Sequence, residues 1–252
     1  MQQARDHSGE HTNELGQPIG RPVPDWTPPP TPPLVELVGE ACRLVPLRDA
    51  TGTELDRHAI ALFDGQDRTG ASWTYLPYGP FATLAEYRTW LGGTCRQDDP
   101  LFFAILAEGT GCGVPSGTTL GLAAYLRIVP AIGSIEVGHL HFTPALQRSR
   151  AATEAMHLMM AAVFELGYRR YEWKCDALNA ASCRAALRLG FASEGLFRNH
   201  TVYKGRSRDT SWFSVTAEEW PAVCAAHRTW LAADNFDADG RQRTPLEVPG
   251  RG

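Results

Sequence analysis

Runs of apolar residues in the middle of the chain predict three consecutive strands. The segments LFFAILAE (101–108), TLGLAAYLRIV (119–129) and SIEVGHLHF (134–142) are separated by the turn-rich GTGCGVPSG and PAIG. Strand-length apolar runs with short glycine and proline connections are typical of an antiparallel meander. Upstream, the apolar residues of LVELVGEACRLVPL predict a strand or a bent hairpin arm.

Helical periodicity flanks this meander on both sides. Before it, TELDRHAIALF and TLAEYRTWLGG predict two helices, and the second ends on a glycine pair. After it, RAATEAMHLMMAAVFELG is apolar at nearly every inward helical position, which predicts a buried helix with methionines as core filler. The aromatic, proline-broken WTYLPYGPF predicts a loop of the kind that often walls a substrate pocket.

The segment YRRYEWKCD predicts a further strand with one charged face. Alternation places Tyr171, Trp173 and Cys175 on one side and Arg170, Glu172, Lys174 and Asp176 on the other. Such a face is unusual for an interior strand, and it is either an internal ion-pair ladder or the lining of a pocket for a cationic acceptor. A short helix (AASCRAALRLG), a hairpin turning through KGRSRD and a last helix (AEEWPAVCAAHRTWLAA) follow.

Composition narrows the class of protein. A length of 252 residues with 43% hydrophobic and 21% charged residues fits one ordinary soluble α/β domain with tails. The net charge of -4 argues against a nucleic-acid partner. The chain shows neither an apolar signal-peptide core nor a run of about 18 apolar residues, so we expect no membrane association and a cytoplasmic location. Its six cysteines contain no CxxC pair, which argues against a zinc ribbon or a redox motif.

The two ends of the chain differ from its middle. Residues 1–33 are polar and then proline-rich, which predicts a disordered tail stiffened by polyproline II, or alternatively a ligand for an SH3 or WW type groove. Residues 34–233 form the predicted domain, and residues 234–252 a flexible C-terminal tail.

Two motifs resemble those of the GNAT acyl-CoA-dependent N-acetyltransferases. QRSRAATEA (147–155) looks like that family's Q-x-x-G-x-A-T-E-A turn, and N179-A-A-S182 with the following LGF and EG resembles its second motif. The resemblance covers roughly residues 34–222 and is similar to the branch of the ribosomal-protein N-terminal acetyltransferases. An ordinary α/β sheet protein is the alternative. The resemblance implies an α/β (α+β) fold: a mixed, mostly antiparallel central sheet flanked by helices, with a splayed strand pair that binds acyl-CoA.

The resemblance also implies which residues hold acetyl-CoA, the co-substrate. Its phosphates would lie at a helix N-terminus, where free N–H groups and the helix dipole attract anions. The residues carried over are His141, Phe142, Thr143, Gln147, Ser149, Ala151, Ala152 and Thr153, with Asn179 and Ser182 near the pantetheine arm. The last two are equally suited to capping a helix.

Arginines occupy the usual glycine positions of this turn. Arg148 and Arg150 would supply charge-assisted contacts to phosphate in place of close backbone approach, or else simply point into water. A residue forced to positive φ there costs about 1–2 kcal/mol.

Amine acetylation needs a group that accepts a proton. The candidates are Glu136, His139, His141, Glu172 and Asp176, with Glu136 the first choice. The alternatives are a surface carboxylate and hydrogen-bonded core imidazoles. His139 and His141 share a face of a regular strand, but without a third ligand we expect no metal site.

One departure from the family concerns the acid that protonates the leaving thiolate. Ala186 stands where many members carry a tyrosine, so Tyr203, water or no acid at all would serve.

These features predict an N-acetyltransferase that acts on a primary amine, either a protein N-terminus or a small amine such as a polyamine or an antibiotic, by direct attack without a covalent enzyme intermediate. A noncatalytic acyl-CoA-binding or sensory module is the alternative, and an interaction protein using the proline-rich arm is a third. The sequence leaves open the acceptor and the choice between monomer and homodimer.

Overall fold

The structure, a computed structural model, describes residues 11–109, 113–237 and 240–250. Eight strands form one sheet in the order β1-β2-β3-β4-β5-β6-β8-β7. The strands are β1 (Leu37–Val38), β2 (Cys42–Pro46), β3 (Leu101–Ala107), β4 (Thr119–Val129), β5 (Ser134–Phe142), β6 (Arg170–Asp176), β7 (Ala192–Tyr203) and β8 (Arg206–Thr216). The helices are α1 (Gly52–Gly65), α2 (Leu84–Thr94), α3 (Arg150–Glu165), α4 (Ala180–Arg188) and α5 (Trp220–Leu231).

Strand direction follows from the connections. β1 to β5 run antiparallel in chain order, which confirms the meander and the N-terminal hairpin arm. The link from β5 to β6 contains α3, and this helical crossover makes β5 and β6 parallel. β6, β8 and β7 are again antiparallel. The predicted mixed, mostly antiparallel sheet flanked by helices is confirmed.

Alternation along the strands sends side chains to two separate cores. Ile135, Val137 and Tyr171 pack with α3 and α5 on one face, whereas Phe102 and Leu122 pack with α1 and α2 on the other. α1 and α2 cover β2 to β4 but leave the charged face of β6 to other neighbours. No helix within the described ranges is long and apolar enough to cross a membrane.

Parts of both predicted tails contact the domain. The guanidinium of Arg169 lies over the ring of Trp26 at 5.5 Å from its centroid, and Pro29 is buried. At the other end, Leu246 and Val248 are buried in the larger core. The division into tails and domain stays a prediction, and residues 1–10 lie outside the described part.

Glu154, the acidic residue of the A-T-E-A segment, anchors the β1–β2 turn. Its buried carboxylate accepts hydrogen bonds from the main-chain N–H groups of Glu40 (3.0 Å), Ala41 (2.7 Å) and Cys42 (2.8 Å). A Cβ at Gly39 would come within 2.5 Å of that carboxylate, so the turn needs glycine there. Glu154 therefore has a structural role in this chain, joining α3 to the far edge of the sheet.

We expect Glu154→Ala to lower the free energy of unfolding by about 3 kcal/mol, because two buried N–H donors and one part-buried donor lose their carboxylate acceptor. Denaturant unfolding measures the loss. Glu165→Ala, an exposed glutamate at the end of the same helix, is the matched control and should change stability by less than about 0.5 kcal/mol. Equal effects of the two substitutions would contradict the anchor.

Candidate active site

The parallel strands β5 and β6 separate at their carboxyl ends. Their pairing runs from Ser134↔Arg170 to Val137↔Trp173 and goes no further. On the other side of β5, Ala124 pairs with Gly138 and Leu122 with His141, so two β5 residues oppose one residue of β4. This bulge contains His139, whose φ of 52° is left-handed. Beyond Val137 and Trp173 the two strands are no longer paired, and we call the gap between them the cleft.

His139 and His141 lie on the same side of this cleft. The imidazole of His139 is 2.8 Å from the Tyr78 hydroxyl through Nδ1 and contacts the Phe102 ring. His141 stacks on Trp73 with ring centroids 3.9 Å apart. Burial lowers the pKa of each histidine to about 4, and Arg127 adds to the effect at His139. Both imidazoles are therefore neutral at pH 7. They share a face as predicted, although through a bulge rather than through a regular strand.

The predicted loop, residues 73–81, crosses the mouth of the cleft. Its Trp73 and Tyr78 rings contact the two histidines of β5. The Tyr75 hydroxyl donates to the Leu178 carbonyl (3.1 Å), just beyond β6. Lys204 Nζ, in the β7–β8 turn, donates to the Trp73 carbonyl (2.8 Å). The loop thus contacts β5, the segment after β6 and the β7–β8 turn. The contact of Lys204 with this loop has no signal in the sequence pattern.

The charged face of β6 is an ion-pair ladder. Lys174 Nζ lies 2.9 Å from Glu136 Oε2 and 2.7 Å from Glu172 Oε2, and it sits 3.7 Å from the centroid of Trp212. Arg127 Nη1 also contacts Glu136 Oε2, at 2.7 Å. Arg170 Nε contacts Glu172 Oε1 at 2.6 Å. Of the two interpretations of this face, the ladder is the one that the geometry shows.

The ladder sets the protonation of its two carboxylates in opposite directions. Burial raises the pKa of Glu136, against the opposing effects of Arg127 and Lys174. At Glu172 burial also acts to raise the pKa, but hydrogen bonds from Lys174 and Arg170 outweigh it, so the net shift is downward. The carboxylates of Glu136 and Glu172 each form ion pairs with a lysine and an arginine, so neither is a free base.

Asp176 and Tyr203 meet where β6 ends. The Tyr203 hydroxyl donates to Asp176 Oδ2 (2.8 Å), and the Leu178 N–H donates to Oδ1 (2.9 Å). Burial, together with the Asp176 carboxylate, raises the pKa of Tyr203 to about 12. The phenol stays protonated at neutral pH, and its single O–H is donated to Asp176 in this structure.

The turn before α3 has the form of an anion cradle. Ser149 is the N-cap: its hydroxyl accepts from the Ala152 N–H (3.1 Å) and donates to the Leu146 carbonyl (2.7 Å). The N–H groups of Arg150 and Ala151 lie in the first turn, where they have no intrahelical acceptor. Around them, Gln147 Nε2 donates to the Phe142 carbonyl, Thr143 Oγ1 donates to the Leu120 carbonyl and Thr153 Oγ1 accepts from Arg188.

The two arginines of this turn behave differently. Arg148 has a φ of 59°, the conformation that glycine adopts without cost, and its side chain is exposed. The Arg150 guanidinium instead donates to the Leu231 carbonyl at the end of α5 (3.0 Å from Nε) and lies 5.3 Å from the Phe236 centroid. The Arg150 side chain is therefore engaged by α5 and is not directed to a phosphate. Arg148 is the arginine of this turn that stays a candidate for a side-chain contact to phosphate.

Asn179 and Ser182 cap and fix α4. Asn179 Oδ1 accepts from the Ser182 N–H (3.1 Å), and Ser182 Oγ accepts from Trp173 Nε1 (3.0 Å). Both residues follow directly after the end of β6, so the capping role places them beside the cleft. Ala186, which stands at the family's tyrosine position, is fully buried. Within the described ranges, His, Cys, Asp and Glu form no group of three or more that could hold a metal ion.

Buried neutral histidines predict a loss of stability in weak acid. The pKa of His227 is lowered to about 3, also by burial, alongside the values near 4 of His139 and His141. The unfolded chain binds protons below about pH 6.5 while these folded-state imidazoles do not, so stability is complete above pH 6.5 and falls with pH down to the folded pKa values. We expect at least about 3 kcal/mol to be lost between pH 7 and pH 4.5, measured by denaturant unfolding at each pH.

His141→Phe should flatten this pH slope, because the ring keeps its stacking position on Trp73 without titrating. His200→Phe, at an exposed histidine of β7, is the control. If His141→Phe leaves the slope of stability against pH unchanged, protonation of His141 is not a cause of the loss of stability in acid.

A cleft between diverging parallel strands, followed by an anion cradle at a helix start, defines a class of acyl-group transferases. Consistent with this geometry, the family model of the acetyltransferase (GNAT) domain matches residues 46–192, more than half of the chain. The chain belongs to the GNAT acetyltransferase family, which implies acyl-CoA-dependent acetyl transfer.

Solved structures agree with the family. A GCN5-related N-acetyltransferase from Brucella melitensis is similar with a TM-score of 0.81 and 43% identity, over 89% of this chain and 97% of that one. A GNAT-family acetyltransferase from Chromobacterium violaceum ATCC 12472 gives 0.72 and 41%, over 82% and 98%. A Vibrio cholerae structure described as a ribosomal-protein-serine acetyltransferase shares the fold, with 0.57 and 21% over 74% and 99%. A search of curated proteins found no match.

Proposed function

We propose that the protein transfers the acetyl group of acetyl-CoA to a primary amine, a protein N-terminus or a small amine, by direct attack and without a covalent enzyme intermediate. The observation that carries the proposal is the cleft where β5 and β6 are no longer paired, next to the bulge at His139 and beside the α3 cradle. We further propose a cytoplasmic protein that acts as a monomer or homodimer, with no nucleic-acid or membrane partner.

The chain offers groups suited to each part of acetyl-CoA. The N–H groups at Arg150 and Ala151 suit the pyrophosphate, since they are unpaired donors at the positive end of a helix dipole. The pantetheine arm of acetyl-CoA is extended and contains amides, so it suits the gap between β5 and β6. One side of this gap is formed by residues 141–143 and the other by residues 179–182. When bound, acetyl-CoA supplies the activated acetyl group, and these residues hold and orient it.

His139 is the proposed proton acceptor. It is neutral, stands at the start of the cleft and is oriented by the Tyr78 hydroxyl. Glu136, the first choice from sequence, instead has one carboxylate oxygen shared between Arg127 and Lys174, which weakens it as a base. Glu136 and Glu172 then act as supports that hold the ladder under the cleft, and His141 fixes Trp73 in the loop.

Tyr203 is the proposed proton donor to the leaving thiolate. Its raised pKa keeps the hydroxyl protonated, and to donate this proton the single O–H would rotate from Asp176 Oδ2 to the thiolate. This assignment would account for the absence of a tyrosine at position 186.

A noncatalytic acyl-CoA-binding or sensory module is the second candidate. It is favoured by buried Ala186 in place of the family tyrosine and by the absence of glycine in the cradle. Incubating the protein with acetyl-CoA and a panel of small amines and peptides, while following CoA release, separates the two. Turnover supports the enzyme, binding without turnover on every acceptor supports the module, and failure to bind acetyl-CoA contradicts both.

Substitutions at Arg148 separate charge from backbone strain. Arg148→Ala keeps a side chain at positive φ and should weaken acetyl-CoA binding about 10-fold through loss of a charged contact. Arg148→Gly should weaken binding similarly but raise the free energy of unfolding by about 1 kcal/mol, because glycine adopts this φ without strain. Calorimetric titration and denaturant unfolding measure the two effects. Arg57→Ala, an exposed arginine of α1, is the control, and unchanged affinity in Arg148→Ala would place this side chain in solvent only.

A further inference from the structure

Two thiols lie side by side next to the cleft. Cys175 Sγ, on the part of β6 that no longer pairs with β5, is 3.5 Å from Cys183 Sγ, in the first half of α4. The strand and the helix are already held together at this point by the hydrogen bond from Trp173 Nε1 to Ser182 Oγ. A disulfide has an S–S length of roughly 2 Å, so the sulfurs need to approach by only about 1.5 Å. Both cysteines are free thiols in the structure.

We propose that Cys175 and Cys183 are a modification site: a hydroperoxide converts them into an intramolecular disulfide that ties the start of α4 to β6. The chemistry balances with hydrogen peroxide as the oxidant. The Cys183 thiolate attacks one peroxide oxygen and becomes a sulfenic acid as the O–O bond breaks, and the departing hydroxide takes up the proton that the thiol lost and becomes water. The Cys175 sulfur then attacks the sulfenic sulfur and forms the S–S bond, and the sulfenic hydroxyl leaves with the Cys175 proton as the second water. Two thiols and one peroxide give one disulfide and two waters, and a thiol reductant reverses the change.

The environments of the two sulfurs set this order. Cys183 is half-buried and can meet a small oxidant, whereas Cys175 is 7% exposed. Burial is the main cause that raises the pKa of Cys175 to about 12, with the Cys183 thiol adding to it. Cys175 therefore stays a protonated thiol until Cys183 has been oxidised, and it then attacks the sulfenic sulfur and gives up its proton to the departing hydroxide.

The site differs from the remaining described cysteines. Cys42 and Cys95 are buried, and Cys224 on α5 is half-buried like Cys183 but has no sulfur recorded beside it in the described part of the chain. Cys224 is therefore the internal control, since it has similar exposure without a resolving thiol.

The sequence makes the test direct. Trypsin cuts after Lys174 and Arg184, so one peptide, residues 175–184, carries both cysteines. After treatment of the full-length protein with hydrogen peroxide and alkylation of free thiols, we expect this peptide unalkylated and lighter by two hydrogens, and restored by reductant. Alkylation of Cys183 to the same extent as Cys224 would overturn the proposal.

Single substitutions trap the intermediate. In Cys175→Ser the sulfenic acid of Cys183 has no resolving thiol, so a dimedone adduct should accumulate there and not in the unaltered protein. In Cys183→Ser no adduct should form at Cys175. Dimedone labelling of Cys183 at equal levels with and without Cys175 would contradict the pairing. Even if a variant fails to fold, the peptide mapping on the unaltered protein shows whether the disulfide between Cys175 and Cys183 forms.

The expected consequence rests on the proposed function. The cross-link draws α4 towards β6 at Asn179 and Ser182. Oxidation should therefore weaken acetyl-CoA binding several-fold, and reduction of the disulfide should restore it. Titration of oxidised and reduced protein with acetyl-CoA tests this. Equal affinities would refute the effect on binding, whereas failure of both forms to bind would count against the proposed function and leave the disulfide itself to the peptide mapping.

Discussion

Replacing His139 by glutamine should lower kcat by about 10²- to 10⁴-fold with little change in acetyl-CoA affinity. The glutamine keeps a polar group beside the Tyr78 hydroxyl but cannot accept and carry away a proton as an imidazole does. Steady-state kinetics with the best acceptor of the amine panel measures the loss, and calorimetric titration with acetyl-CoA shows whether binding survives.

The pH profile distinguishes a base from a merely structural histidine. Because the pKa of His139 is about 4, the imidazole is already unprotonated across the neutral range. Across the neutral range the rate should therefore rise with pH only because the acceptor amine loses its proton. As the pH is lowered to about 4, the rate of the unaltered protein should fall further because His139 becomes protonated. His200→Gln, at an exposed position on β7, should leave the profile unchanged. A kcat retained in His139→Gln would remove His139 from the mechanism and return Glu136 to consideration.

Lys174→Ala should lower the free energy of unfolding by about 3–5 kcal/mol at pH 7. The Lys174 side chain is 6% exposed and neutralises two buried carboxylates at once, so its loss leaves Glu136 and Glu172 facing each other without their shared cation. Denaturant unfolding measures the change. Arg127→Ala is the matched control: this partner of Glu136 is 55% exposed and should cost less than about 1 kcal/mol.

Two further measurements test the cause of this destabilisation. In Lys174→Ala the folded-state pKa of the two glutamates rises above its unfolded value, so the loss should be largest at neutral pH and shrink as the pH falls and the carboxylates take up protons. The triple variant Glu136→Gln, Glu172→Gln, Lys174→Met removes all three charges and should recover much of the stability. A loss independent of pH, with no recovery in the triple variant, would point to packing against Trp212 instead.

The sequence predicted most of the elements because their patterns were local. β5 coincides with the predicted SIEVGHLHF, and the charged and apolar faces of β6 follow the alternation of YRRYEWKCD. The splayed strand pair is a prediction from the family resemblance, and the parallel direction of β5 and β6 comes from the structure, since no periodicity along one strand shows the direction of its neighbour.

The site was predicted less completely because its contacts join distant segments. The loop 73–81 was recognised as a pocket wall from its aromatic and proline content, but its tether to Lys204 spans 131 positions and leaves no trace in composition. Arg150 was assigned to phosphate because its position in the motif was visible, whereas its acceptor, the Leu231 carbonyl, belongs to another helix. Glu136 has the chemistry of a base, but its cationic partners Arg127 and Lys174 lie on β4 and β6, which the pattern of β5 alone does not show.

The tethered loop 73–81 and the α3 cradle come from separate stretches of the chain, and Trp73 and Leu178 contribute only main-chain carbonyls to the tethers. Exposed loop residues such as Thr74 and Pro77 can therefore be exchanged while both tethers and the cradle persist. The proposed transferase is in this sense modular: we expect exchange of these exposed loop residues to change its range of acceptor amines and to leave its affinity for acetyl-CoA unchanged.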